Sequence, residues 1–229
     1  MLYGWHSALA AIRNPHRKIH TVFATRNALQ RLVEAGVSNL PAPVDAREIE
    51  RIAGADAVHQ GIAILADPLP EPDLSDLAGA KLVVVLDQVT DPHNVGAVIR
   101  SAAAFGAEAL VLTERHGPGD SGVLAKAASG GLEHVALVRV TNLARALNEL
   151  GAMGFQRLGL DSSFAEPLDA VDRAARIAIV LGAEGRGLRR LTRENCDLLV
   201  RLHVPGPIAS LNVSNAAAVA LYELTRRRP

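Results

Sequence analysis

Beyond residue 80 the chain alternates, and that alternation constrains the fold more than any other feature. Six short β-rich runs, "KLVVVLD", "ALVLT", "HVALVRV", "QRLGLD", "IAIVLG" and "LVRLHV", are separated by helical stretches such as "NVGAVIRSAAAFG", "VLAKAASGG" and "NLARALNELGAMG". Runs this apolar on both faces must be covered on both faces, which predicts a parallel sheet between helices. In such sheets ligands bind beyond the carboxyl ends of the strands. The turns after "VVVLD", "IVLG" and "LHV" are therefore the places to look for a site.

Residues 67–80 separate this region from a smaller one. The stretch "ADPLPEPDLSDLAGA" has three prolines in five positions and four acidic residues, which reads as a semi-extended linker rather than an element. Residues 1–66 before it read as a small α/β sandwich: helix at "HSALAAIR", strand at "IHTVFAT", helices at "NALQRLVEAG" and "DAREIERIAG", strand near "GIAILA". Residues 81–229 form the larger domain.

Charge is uneven along the chain. The formal net charge is zero, yet residues 1–33 hold Arg13, Arg17, Lys18, Arg26 and Arg31 with no Asp or Glu, and the chain ends on Arg226, Arg227 and Arg228. Either a solvated basic face or contact with a polyanion accounts for this. Aromatic residues are only 3%, which argues against recognition by stacked rings. Cys196 is the only cysteine, which excludes an internal disulfide and Cys-rich zinc sites. No metal constellation is visible. A reducing, cytoplasmic setting fits, and neither a signal peptide nor a run of membrane-spanning length is visible.

Three turns carry the candidate chemistry. In "LDQVTDPHNVGAVIRSAAAFG", residues 86–106, Asn94 is read as the N-cap of a helix beginning at Val95. Arg100 lies off the apolar stripe and leans back toward the helix mouth. In "VLGAEGRGL", residues 180–188, Gly182, Gly185 and Gly187 follow a buried strand and admit close ligand approach. The dinucleotide pattern G-x-G-x-x-G is absent. In "LHVPGPIASLNVSNAAAVALYE", residues 202–223, a Pro-Gly-Pro turn precedes a helix with Ser210, Asn212, Ser214 and Asn215 near its start, more polar groups than capping needs.

Together, "LDQVTDPHNVGAVIRSAAAFG", "IVLGAEGRGLRRLTRENCD" and "GPIASLNVSNAAAVALYE" resemble the three ordered motifs of the SpoU/TrmH family of RNA ribose 2′-O-methyltransferases. The N-terminal "LYGWHSALAAI" and "AVHQGIAIL" look like the ribosomal-protein-like RNA-binding domain of bacterial members that methylate a guanosine of large-subunit ribosomal RNA. The resemblance implies S-adenosylmethionine as methyl donor, a trefoil-knotted methyltransferase domain and a homodimer. A bare reading of the runs gives an ordinary open sheet instead. The resemblance further implies a polar site of Asn94, Arg100, Glu184, Ser210 and Asn212, donor contacts from the backbones of Gly182, Leu202 and Leu211, and RNA contacts from Arg13, Arg17 and Lys18. One departure is His203, in "LHVPG", where many members carry proline.

For Arg100 two roles stay open: transient general base, or a charged group that stabilises the developing alkoxide. A guanidinium, protonated throughout the neutral range, favours the second. The alternatives in function are a transfer-RNA ribose methyltransferase and a non-catalytic RNA-binding or ribosome-assembly factor.

Overall fold

A computed structural model describes residues 1–115, 117, 121–207 and 210–226. Arg227 and Arg228, counted above in the basic tail, lie outside the described residues, as do Ile208 and Ala209 of the third motif.

The N-terminal part is a three-stranded antiparallel sheet in the order β1-β3-β2, from β1 (Leu2–Tyr3), β2 (Ile19–Ala24) and β3 (Ile62–Ala66), with helices α1 (Trp5–Arg13), α2 (Arg26–Glu34) and α3 (Ala46–Ala53). Strand β1 was not anticipated, because two residues carry no periodicity. Ala8 and Ala11 of α1, Ala28 and Leu32 of α2, and Ile62 and Ile64 of β3 bury one another in its core. Thr25 caps α2 and Asp45 caps α3 through their side chains.

The Pro-rich stretch is not wholly extended. Residues Leu74–Gly79 form a 3₁₀ helix, where Asp76 accepts from the Asp73 amide at 2.9 Å. Leu74 and Leu77 are buried against the larger domain, and that burial overrides the extended tendency of the prolines before them.

In the larger domain six parallel strands run in the order β6-β5-β4-β8-β7-β9: β4 (Leu82–Asp87), β5 (Ala109–Thr113), β6 (Ala136–Val140), β7 (Gln156–Leu160), β8 (Ile177–Gly182) and β9 (Leu198–Val200). Both faces are covered, as the apolar runs demand. Leu82, Val84 and Leu86 pack with Val95, Val98, Ile99 and Ala102 of α4 (Pro92–Ala104) and with Ala217, Ala220 and Leu221 of α8 (Val213–Thr225). Val83 and Val85 pack on the other face with Leu143, Ala146, Leu147 and Leu150 of α6 (Leu143–Ala152). Each large side chain so buried contributes roughly 1.5–3 kcal/mol. Helices α5 (Gly122–Ala128) and α7 (Arg190–Glu194) complete the domain; α7, five residues long, was not anticipated.

The strand order reverses between β4 and β8, whose ends pair Asp87 with Gly182. This is the switch point of the sheet, where loops part and a ligand crevice opens.

The two parts are joined by more than the linker. Arg17 forms an ion pair with Glu133 at 2.6 Å, with side chains 5% and 3% exposed, and also donates to the Asp67 carbonyl at 2.9 Å. Asn14 donates to the same Glu133 at 2.7 Å, and the Ser7 hydroxyl donates to the Ala125 carbonyl at 2.7 Å. No helix among the described residues is long and apolar enough to cross a membrane.

Candidate active site

Helix α4 begins three residues earlier than expected. Asp91 is its N-cap, accepting from the His93 amide at 3.0 Å, and Pro92 occupies the first helical position. Asn94 therefore sits inside the first turn, its side-chain oxygen released from capping. Its amide nitrogen donates to Glu184 at 3.3 Å and that oxygen accepts from Asn212 at 3.0 Å. The Asn212 amide also donates to Glu184, which accepts in addition from the Val213 backbone at 3.4 Å.

Asn212 does a second job as the N-cap of α8, its oxygen accepting from the Ser214 amide at 2.9 Å. One carboxylate and two amides thus tie together the loops after β4, β8 and β9. Glu184 and Asn212 are exposed and Asn94 is half-buried, so the cluster faces solvent, open to a large substrate.

Arg100 is exposed, and its side chain makes no hydrogen bond or ion pair among the described residues. Six residues past Asn94 it stands about 9 Å further along the helix, and Asn94 is reached by Glu184 and Asn212 rather than by Arg100. Ser210 is also exposed and outside the cluster. His203 is exposed as well.

The loop after β8 is a tight reversal with Ala183 bridging Gly187, and Gly185 and Gly187 at φ of 75° and 63°. A Cβ on Gly182 would lie 2.2 Å from the Gly187 carbonyl carbon. Gly182→Ala is therefore expected to spread this reversal and lower the melting temperature, which a calorimeter reads. An alanine variant with unchanged melting would contradict the close packing.

Sequence reasoning missed what pins this loop. Asp87, fully buried at the end of β4, accepts from the Arg189 amide at 2.9 Å and its Nε at 2.7 Å. The visible signal was an acid closing an otherwise apolar strand. The Cys196 thiol, pushed up to about 12 chiefly by burial, donates to the Thr192 carbonyl at 3.2 Å. It is a neutral packing group, not a nucleophile.

Residues 81–222 match the model of the family described as "SpoU rRNA Methylase family", and residues 1–72 match that described as "RNA 2'-O ribose methyltransferase substrate binding". The chain belongs to the SpoU rRNA methylase family. It is an RNA 2′-O-methyltransferase that uses S-adenosylmethionine. This SpoU methylase is 39% identical over 241 residues to the 23S rRNA (guanosine-2'-O-)-methyltransferase RlmB of Ralstonia nicotianae, spanning 100% of this chain and 96% of that one. Its fold matches the AdoMet-bound rRNA methyltransferase of Sinorhizobium meliloti with a TM-score of 0.79 at 22% identity, over 97% of this chain and 85% of that one. The A. aeolicus TrmH/SpoU tRNA modifying enzyme matches with a TM-score of 0.58 at 26% identity, over only 66% of this chain and 80% of that one.

The SpoU methylase also offers suitable partners for an adenosyl group. From Leu202 to Gly206, at the end of β9, no backbone group takes part in a hydrogen bond among the described residues. Free amides and carbonyls beside a half-buried Leu202 suit the edge and face of a purine. A cleft of about 820 Å³ lies elsewhere, at the junction of the two parts. Asp67, Glu71, Asp76, Glu108 and Glu133 line it, a poor surface for a polyanion.

Proposed function

We propose that this methylase acts on the ribose 2′-hydroxyl of a guanosine in 23S ribosomal RNA, in the cytoplasm and as a homodimer. The observation that carries the reading is the hydrogen-bonded union of Asn94, Glu184 and Asn212 across three loops at the switch point. Substrate class is supported by the full-length likeness to a 23S rRNA (guanosine-2'-O-)-methyltransferase and by a substrate-binding region at residues 1–72. The tRNA modifying enzyme matches about two thirds of this chain.

S-adenosylmethionine supplies an already activated sulfonium methyl. What remains for the protein is to align the ribose oxygen and ease loss of its proton, and alignment alone can supply up to about 7–11 kcal/mol. In this reading the backbones of Gly182, Leu202 and Leu211 hold the donor. Asn94, Glu184, Ser210 and Asn212 form the polar wall that orients the ribose. Arg100, whose side chain has no partner among the described residues, stabilises the developing alkoxide and holds the adjacent phosphate.

Arg13 and Lys18, both exposed, are the RNA contacts of the N-terminal domain, residues 1–66, which linker 67–80 joins to the methyltransferase domain, residues 81–229. The knot and dimer belong to the same reading. Supporting them are a β8 inserted between β4 and β7, an α8 that returns to pack on α4, and Val219 and Tyr222 of α8 at 45% and 57% exposure.

Transfer of labelled methyl from S-adenosylmethionine, with large-subunit ribosomal RNA and transfer RNA as separate acceptors, tests the substrate. Label on the ribosomal RNA alone is expected. Label on transfer RNA alone would keep the chemistry and overturn the substrate.

A further inference from the structure

Beyond the carboxyl ends of β5 and β6 lies a second cavity, of about 410 Å³, that the methyl-transfer chemistry does not use. Arg115, Arg189 and Arg190 line it with Thr113 and the first residues of α6, and no carboxylate does among the described residues. Arg115 is exposed and has no ion-pair partner among the described residues. Arg189 is held by Asp87 yet remains 47% exposed, and Arg190 is shared only with Glu194 in a surface pair at 75% and 52% exposure, a contact of small worth that a ligand can displace.

A second, independent feature points the same way. The amides of Leu143 and Ala144 open α6 and have no intrahelical acceptor, while the Asn142 side chain takes only the Arg145 amide. Both residues line the cavity. Guanidinium forks and free helix amides around one concavity, with no acid among its described walls, are the chemistry of a phosphate site.

We propose that this cavity holds one phosphodiester of the RNA substrate, gripped by Arg115 and Arg190 and seated on the first amides of α6. This rests on the reading of the chain as an enzyme of large-subunit RNA. Strand β5 adjoins β4, and strands lie about 4.8 Å apart. The cavity therefore opens on the same end of the sheet as Asn94 and Glu184, one or two strands away, and the phosphate belongs to a nucleotide near the target ribose. It fixes register without reading a base.

The test is the salt dependence of binding to large-subunit ribosomal RNA. Releasing one phosphate contact lowers the slope of log affinity against log salt by about 0.7–0.9. The double variant Arg115→Ala/Arg190→Ala is expected to show that fall, with S-adenosylmethionine binding unchanged and turnover at saturating RNA unchanged. The pair Arg115→Lys/Arg190→Lys is expected to keep the original slope, since a point charge still neutralises a phosphate. An unchanged slope in the alanine variant, or a fall that lysine fails to restore, would overturn the proposal. Methyl transfer by the unaltered chain is read in the same samples. Transfer with an unchanged slope removes the phosphate site alone; a lowered slope without transfer removes the ribosomal-RNA reading alone.

Discussion

Arg100→Lys is expected to leave S-adenosylmethionine binding intact and to cut single-turnover methyl transfer by about 10²–10³, the loss typical of removing one donor to a developing oxyanion. The guanidinium offers a planar fork of donors that can serve the ribose oxygen and a phosphate at once, and an ammonium offers one point of charge. Arg100 is exposed on α4 and makes no internal hydrogen bond or ion pair among the described residues. The substitution therefore removes no support from the fold, and a loss of rate reports on chemistry. Near-normal transfer by the lysine variant would sink both the base and the electrostatic roles.

Arg17→Ala is expected to destabilise the chain by about 3–5 kcal/mol, because it strands the Glu133 carboxylate, 3% exposed, without its counter-charge. The double variant Arg17→Met/Glu133→Leu is expected to recover most of that loss, since two apolar groups leave no orphaned charge. Urea unfolding measures both. This prediction separates two roles for one residue. A stability change below about 1 kcal/mol, together with weakened RNA binding, would return Arg17 to the RNA-facing surface; the expected result makes it the bolt between the two parts of the molecule.

Arg17 also shows where sequence reading stops. An acid-free stretch from residue 1 to 33 marks a basic region, but not which guanidinium turns inward to meet a carboxylate 116 residues away. The alternation of apolar runs and helices announced the layered sheet because both signals are local. The order β6-β5-β4-β8-β7-β9 was not announced, since strand order is decided by how crossovers pack. Capping near the first motif was ambiguous for a different reason. Asp91 and Asn94 are both good caps, and Pro92, preset for a first helical position, settles the choice for Asp91. That shift matters to the site, because an Asn94 occupied as a cap would spend on its own helix the side-chain oxygen that accepts from Asn212.

Glu184 and Asn212 were legible as polar residues in loops that follow strands, and their meeting with Asn94 follows from the switch point. The salt link of Asp87 to Arg189 was not legible, being a contact 102 residues apart in sequence. It holds the glycine-rich reversal over the sheet end, so the site depends on a contact between two residues of the quoted motifs that neither motif by itself shows.

The most direct measurement is the identity of the methylated nucleoside. Large-subunit ribosomal RNA is incubated with the protein and labelled S-adenosylmethionine, digested to nucleosides, and the labelled product resolved by mass and fragmentation. Label on 2′-O-methylguanosine, with the methyl on the ribose fragment, is the predicted result. Label on a base fragment, or on no nucleoside while the donor binds tightly, would contradict a site built to present Arg100 and the Asn94–Glu184–Asn212 cluster to a ribose hydroxyl.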